Sequence, residues 1–223
     1  METSTYKPLI DRDEVFLDTE TTGLDPMVNE VVEFAAIKRN AQGEELDRLH
    51  LKIRAEYLEA PPAWAEYLPS FSYSKWTANT NKALEVNGCS REELTSTERM
   101  CSASAAALIV AFIRNCTVIG QNISFDMSFI EQMVLRAGVV QLDRKGNEIP
   151  ARLPYHKIDT ATLAYEHLRP RGLTKLSLSS KDGICDFLDL PIEGAHTAMG
   201  DALMTMKVYD TLISFDSING ERQ

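Results

Sequence analysis

The chain has 223 residues, and its 23 Lys and Arg against 33 Asp and Glu give a formal charge of −10. Hydrophobic residues make up 44% and charged residues 25%, which fits an ordinary globular protein and excludes a low-complexity or collagen-like chain. So acidic a chain is poorly suited to coating duplex DNA, because each phosphate contact needs a cation. Carboxylates that hold divalent cations would offset part of that charge.

The length suits one domain, 1–223, with decorations. The N-terminal stretch METSTYKPLIDRDE is polar, with no apolar signal core. The longest apolar run, Ala105–Ile113, has nine residues, well short of the ~20 that cross a bilayer. Cys89, Cys101, Cys116 and Cys185 never fall at Cys-x-x-Cys spacing, so no zinc ribbon or redox motif is indicated. These features predict a cytoplasmic protein with reduced thiols and no membrane partner.

Glu14–Asp18 reads as the first strand, stopped by Thr-Thr-Gly-Leu-Asp-Pro. Val31–Lys38 is a mostly apolar run suited to a central strand. In 47–54, Leu49, Leu51 and Ile53 alternate with His50, Lys52 and Arg54, a half-buried strand. Asn40–Gly43 supplies the hairpin turn between the last two, so the chain opens with an antiparallel meander. Residues 55–88 form an irregular insertion. Its stretch 57–76 holds Tyr57, Trp64, Tyr67, Phe71, Tyr73 and Trp76, six of the 17 aromatics. They read as a substrate lid or as an apolar cover, with the cover favoured.

Beyond it the pattern changes. A helix is predicted over 103–115, a strand over Thr117–Gly120, and a helix over Ser124–Ala137 capped by Gly138. A fifth strand follows at His156–Thr160, then a helix through Leu168, and a last helix from Ala198. Strands followed by alternating helix and strand indicate an α/β protein with a mixed sheet. Residues 144–175 are locally basic, seven Lys/Arg against three Asp/Glu. Arg169, Arg171 and Lys175 there suit either a phosphate guide or a solvated loop.

Asp18 and Glu20 are two apart on a strand and share a face. Like charges so placed repel unless a cation lies between them, and oxygen clusters suit Mg²⁺ or Mn²⁺. Alone, such a pair is most often a solvated strand end. Asp126 falls in the first turn of its helix, where a carboxylate often only complements the helix dipole. His196 and Asp201 bracket the start of the last helix, with Thr197 a candidate cap. An imidazole changes charge near neutrality, which suits proton transfer.

Together these segments say more. Phe16-Leu-Asp-Thr-Glu-Thr-Thr-Gly-Leu24 closely resembles the first motif of the DEDDh 3′→5′ exonucleases. Gln121–Ile130 resembles their second motif and Ala195–Ala202 their third, in the family's order. Similar by pattern are the proofreading exonuclease subunit of bacterial DNA polymerase III and ribonuclease T. The resemblance implies an α/β, ribonuclease-H-like mixed five-stranded sheet, order 3-2-1-4-5 with one strand antiparallel, flanked by helices. It implies a metal ligand set of Asp18, Glu20, Asp126 and Asp201, with His196 as general base. It implies two divalent cations, Mg²⁺ with Mn²⁺ able to substitute, flanking the scissile phosphate. Substrate contacts would come from Thr21, Leu24, Asn122, Val86 and Asn87. The family's common His-Asn pair is Gln121-Asn122 here, and a frequent His stands as Asn87. Asp159 matches a frequent family Asp and reads as support for the site, not as a ligand.

The expected activity is metal-dependent 3′→5′ hydrolysis of single-stranded nucleic acid, DNA ahead of RNA, to nucleoside 5′-monophosphates. An RNA exonuclease of the ribonuclease T or oligoribonuclease kind is the alternative. A non-catalytic binding module would not need all five catalytic residues. Only 22 residues follow Asp201, which favours a free-standing nuclease, compatible with a homodimer, over one tethered to a polymerase.

Overall fold

The computed structural model describes residues 12–220, with side chains to 215. The polar N-terminal stretch through Asp11 lies outside the described residues. Three strands open the fold: β1 (Glu14–Thr21), β2 (Val31–Arg39) and β3 (Glu45–Lys52). Helices α1 (Tyr73–Asn87), α2 (Arg91–Thr95) and α3 (Ser102–Ile113) lead to β4 (Thr117–Gly120) and α4 (Ile123–Ala137). A hairpin of β5 (Val140–Leu142) and β6 (Glu148–Pro150) precedes β7 (Lys157–Asp159) and α5 (Thr160–Leu168). Short α6 (Ile184–Phe187) and long α7 (Ala198–Gly220) close the chain.

The main sheet runs β3-β2-β1-β4-β7. Strand β2 is antiparallel to both neighbours, while β1, β4 and β7 run parallel. Counting only its own five strands, this is the expected order 3-2-1-4-5 with one strand reversed. The β5–β6 hairpin was not expected. Its three-residue strands are too short to establish a period, and Asp143 fixes their turn by accepting from Lys145 and Asn147 N–H.

The period of two on β1 sorts the helices. Val15 and Leu17 face α3 and α4, in a core with Ile109, Ile113, Phe129 and Ile130. Phe16 points to the other face, against Ile119 and Tyr209 of α7. Burying side chains of this size stabilises each by about 1.5–3 kcal/mol. At the far end of the sheet Arg39 ties α7 down: it donates to Glu14 and Asp210, each at 2.7 Å. Asp18 and Glu20 share the Phe16 face, so the helix they meet is α7.

Within 55–88 the structure is more ordered than the sequence suggests. A 3₁₀ turn at Ala63–Tyr67 leads to the 15-residue α1, which buries only Trp76 and Thr80. So narrow an apolar stripe leaves no visible helical period. No helix among the described residues is long and apolar enough to cross a membrane. All four cysteines are unpaired.

Candidate active site

Three carboxylates converge where β1 meets the start of α7. Asp18, Glu20 and Asp201 each place an oxygen within 4.8 Å of the others. Burial is the largest cause that raises each of their pKa values. It holds Asp18 well above the usual carboxylate range, with the charges of Asp126, Asp201 and Glu20 adding to it. Glu20 is pushed up to about 7 by burial, then by Asp201 and Glu33. Asp201 is raised by burial, with His196 acting the other way.

Asp126 arrives differently. Thr19 lies between Asp18 and Glu20 on β1, so its side chain points to the opposite face, toward α4. Its hydroxyl donates to Asp126 Oδ1 at 2.7 Å and its N–H to the same oxygen at 2.9 Å. Asp126 is buried and pushed up to about 7, chiefly by burial, with the Thr19 hydrogen bonds opposing. The structure therefore gathers three of the four expected ligands on one face. The fourth, Asp126, is held against the middle strand β1 from the other face.

His196 sits in the turn before α7, exposed, with φ +63°, a left-handed backbone uncommon outside glycine. Thr197 caps the helix as expected, its Oγ1 accepting the Gly200 N–H at 3.2 Å. Gly194 and Gly200 touch backbone to backbone, since a Cβ on Gly200 would lie 2.0 Å from the Gly194 carbonyl oxygen. That contact fixes how the His196 turn enters the helix.

The expected substrate residues divide into two groups. Asn87, at the end of α1, donates to the Thr21 carbonyl at 3.1 Å, joining two of them. Val86 beside it is half-exposed and Leu24 is 72% exposed. The loop carrying Leu24 is strapped from below. Trp64 Nε1 donates to the Met27 carbonyl, Trp76 Nε1 to Val28, and Arg136 to Pro26 and Asn29. Of these aromatics Trp76 is buried, whereas Trp64, Tyr67 and Tyr73 are exposed. Asn122 lies across the sheet, exposed at the start of α4, its N–H donating to Asp159 at 2.7 Å. Asp159 also accepts from Ala161 N–H and the Thr162 hydroxyl, so it supports the loop as expected. Gln121 does likewise, bridging the Thr160 hydroxyl and the Leu176 carbonyl.

Two residues escaped the sequence reading. Thr19 was signalled only by its place between two carboxylates. Glu33 stands opposite Glu20 through the β1–β2 register and hydrogen-bonds His50 at 2.7 Å.

The carboxylate cluster fits a divalent cation. Asp201 Oδ1 is buried with no hydrogen-bond partner among the described residues. A buried carboxylate oxygen left so, beside two others, matches the all-oxygen donor set of a hard cation.

The sheet order and the passage of α7 across it define the ribonuclease-H-like class. A family model described as an exonuclease matches residues 15–69 and 71–209, most of the chain. The chain belongs to that exonuclease family, in the DEDDh 3′→5′ branch that its three motifs indicate. It is 27% identical over 195 residues to the DNA polymerase III PolC-type of Thermotoga petrophila and of Thermotoga maritima. That alignment takes in 87% of this chain and 11% of those proteins. The zinc-bound E. coli exonuclease I–ssDNA complex has a TM-score of 0.63 at 16% identity, over 92% of this chain and 43% of that one. For E. coli exonuclease I with a dT13 oligonucleotide the TM-score is 0.59 at 19% identity, over 91% and 40%. The likeness to these structures is one of fold, and the chain spans less than half their length.

Proposed function

We propose that residues 14–213 work as one divalent-cation-dependent 3′→5′ exonuclease unit. It removes nucleotides from the end of single-stranded DNA and releases nucleoside 5′-monophosphates. The observation that carries this is the three-carboxylate cluster with its partnerless Asp201 oxygen. Asp18, Glu20 and Asp201, with Asp126 at the edge, hold two divalent cations, Mg²⁺ in the cell with Mn²⁺ as substitute. Cations bound there supply positive charge that acidifies a water and offsets charge on the phosphate.

The chain's own residues do the rest. Asp126 is oriented by two Thr19 donors, both on Oδ1, and its second oxygen would serve a cation. His196, on an exposed turn beside Asp201, accepts the proton of the attacking water as a neutral imidazole. Leu24 wedges against the terminal base, on a loop that three side chains hold still. The Thr21 backbone meets the terminal 3′-hydroxyl, with Asn87 and Val86 beside it. Asn122 contacts the strand from the β4 side. Single-stranded DNA is favoured because E. coli exonuclease I, a fold neighbour, is seen with dT13. Four unpaired cysteines suit the reducing cytoplasm.

The test is digestion of 5′-labelled single-stranded DNA, single-stranded RNA and duplex with Mg²⁺, Mn²⁺ or chelator. A ladder shortening from the 3′ end, fastest on single-stranded DNA and abolished by chelator, is expected. Cleavage in chelator, or wild-type turnover in Asp18→Ala, would overturn the reading.

A further inference from the structure

We propose that Tyr165 and Arg169 form a subsite for a nucleotide inside the strand, one or more positions upstream of the terminal one; this rests on the exonuclease reading above. The sheet register locates the place. Phe16 of β1 is level with Ile119 of β4, and Gly120 of β4 with Asp159 of β7. Asp18 is therefore level with Gln121 and, one strand further, with Thr160 at the start of α5. Two strand spacings put that point about 10 Å from Asp18. A hollow of about 490 Å³ opens there, walled by Asn122, Thr162, Tyr165 and Leu176. Tyr165 also borders a second hollow of about 430 Å³, shared with Glu166, Arg169 and Pro170.

The terminal nucleotide does not reach here. Thr21 and Asn87 lie on the other flank of β1, because Leu84 of α1 and the following Cys89 pack against the cluster that includes Val32 of β2. A strand whose last nucleotide sits on that side and whose scissile phosphate sits at the cluster continues over β4 and β7.

The side chains in the hollow have the right chemistry. The one carboxylate on the first wall, Asp159, is already engaged by three donors, which reduces its repulsion of a phosphate. Tyr165 is 46% exposed, a large ring offered to solvent. Arg169 stands over it, its guanidinium carbon 5.1 Å from the ring centroid. The other cations nearby are committed: Arg171 donates to the His167 carbonyl, and Lys175 to Asp182 and the Lys181 carbonyl. The Arg169 guanidinium has no hydrogen bond or ion pair among the described residues, so its five N–H donors remain for a ligand. A guanidinium fork held over an aromatic ring matches a phosphate next to a stacked base. Glu166 on the same wall opposes that phosphate and tempers the grip.

The experiment titrates 5′-fluorescein oligothymidylates of two and of eight nucleotides, with hydrolysis-resistant 3′ linkages, in Mg²⁺ by fluorescence anisotropy. Tyr165→Ala and Arg169→Ala should each weaken the eight-mer roughly ten-fold and leave the two-mer unchanged. Tyr165→Phe should keep wild-type binding, and Glu166→Gln should tighten the eight-mer. Arg169→Ala should also flatten the salt dependence by ~0.7 in log K per log salt, one phosphate contact on a single strand. Equal weakening of both lengths, or no weakening of the eight-mer, would overturn the subsite while leaving the exonuclease reading intact. Failure of the wild-type protein to bind either oligomer, together with failure to digest the same oligomers made with ordinary 3′ linkages, would overturn both.

Discussion

A carboxylate cluster built to hold cations should destabilise the protein when the cations are removed, and Glu20→Gln measures by how much. Glu20 is pushed from 4.5 to about 7 in the folded protein, mainly by burial and then by Asp201 and Glu33. Its folded pKa lies above its unfolded one. The protonated form therefore favours the fold, and that stability is complete below pH ~4.5. It drains away as pH rises toward 7, where the folded carboxyl ionises. At ~1.4 kcal/mol per pKa unit, the loss is on the order of 3 kcal/mol. Coulomb's law gives a similar size: two charges within 4.8 Å of each other at an effective dielectric of ~20 repel by at least ~3.5 kcal/mol. Solvent screening of the partly open site brings the expected gain to roughly 2–3 kcal/mol.

Glutamine keeps the shape of the protonated acid and cannot ionise. In chelator at pH 8, Glu20→Gln should therefore melt above wild type. At ~2–4 °C per kcal/mol for a chain of this size, the rise is roughly 5–10 °C. At pH 4.5 the two should melt together. Adding Mg²⁺ should raise the wild-type Tm more than the variant's, and the variant should lose hydrolysis. Scanning calorimetry at both pH values, with chelator and with Mg²⁺, is the assay. An equal gain at pH 4.5 and pH 8, or a variant less stable than wild type at pH 8, would refute the reasoning.

Three further outcomes are expected. His196→Ala should lose roughly 10²–10⁴-fold in kcat, flatten the rise of rate with pH, and leave Mg²⁺ affinity by calorimetry unchanged. Thr19→Val removes one of the two donors to Asp126, which should cost about 1–3 kcal/mol of stability in chemical denaturation at pH 8 and lower kcat with little change in KM. Gly200→Ala drives a Cβ to 2.0 Å from the Gly194 carbonyl, so the His196 turn must shift. Turnover should fall at least ten-fold alongside a melting loss of about 1–3 kcal/mol.

The parts of the site carried by one segment were legible in the sequence, and those made by pairing were not. The period of two puts Asp18 and Glu20 on one face, and a strand followed by a helix puts Asp126 in a first turn. Thr197 as cap leaves His196 on the preceding loop. Nothing in the sequence announces that Glu33 stands across from Glu20, because that follows from how β2 registers on β1. Helix α1 was hidden for a related reason. It packs mainly on loop residues and reaches the sheet only near its end, buries two side chains, and so needs no apolar stripe.

The same alternation separates the carboxylates into two kinds. Glu20 and Asp201 meet on the α7 face, where burial outweighs the His196 contacts that steady Asp201, and one oxygen of Asp201 is left without a partner. Asp126, approaching from the α4 face, is satisfied in advance by Thr19, whose side chain faces α4 because it alternates with Asp18 and Glu20. One short strand thus presents two acids to one layer and anchors a third from the other. The trio's mutual repulsion is relieved by protons or by cations, whereas Asp126 is fixed with or without them. Loss of metal should therefore loosen the α7 start, where His196 and Asp201 sit, before it disturbs α4. Amide hydrogen exchange would show this as faster exchange at 196–204 than at 123–130 when chelator replaces Mg²⁺. Equal loosening of both segments would count against the two-layer account.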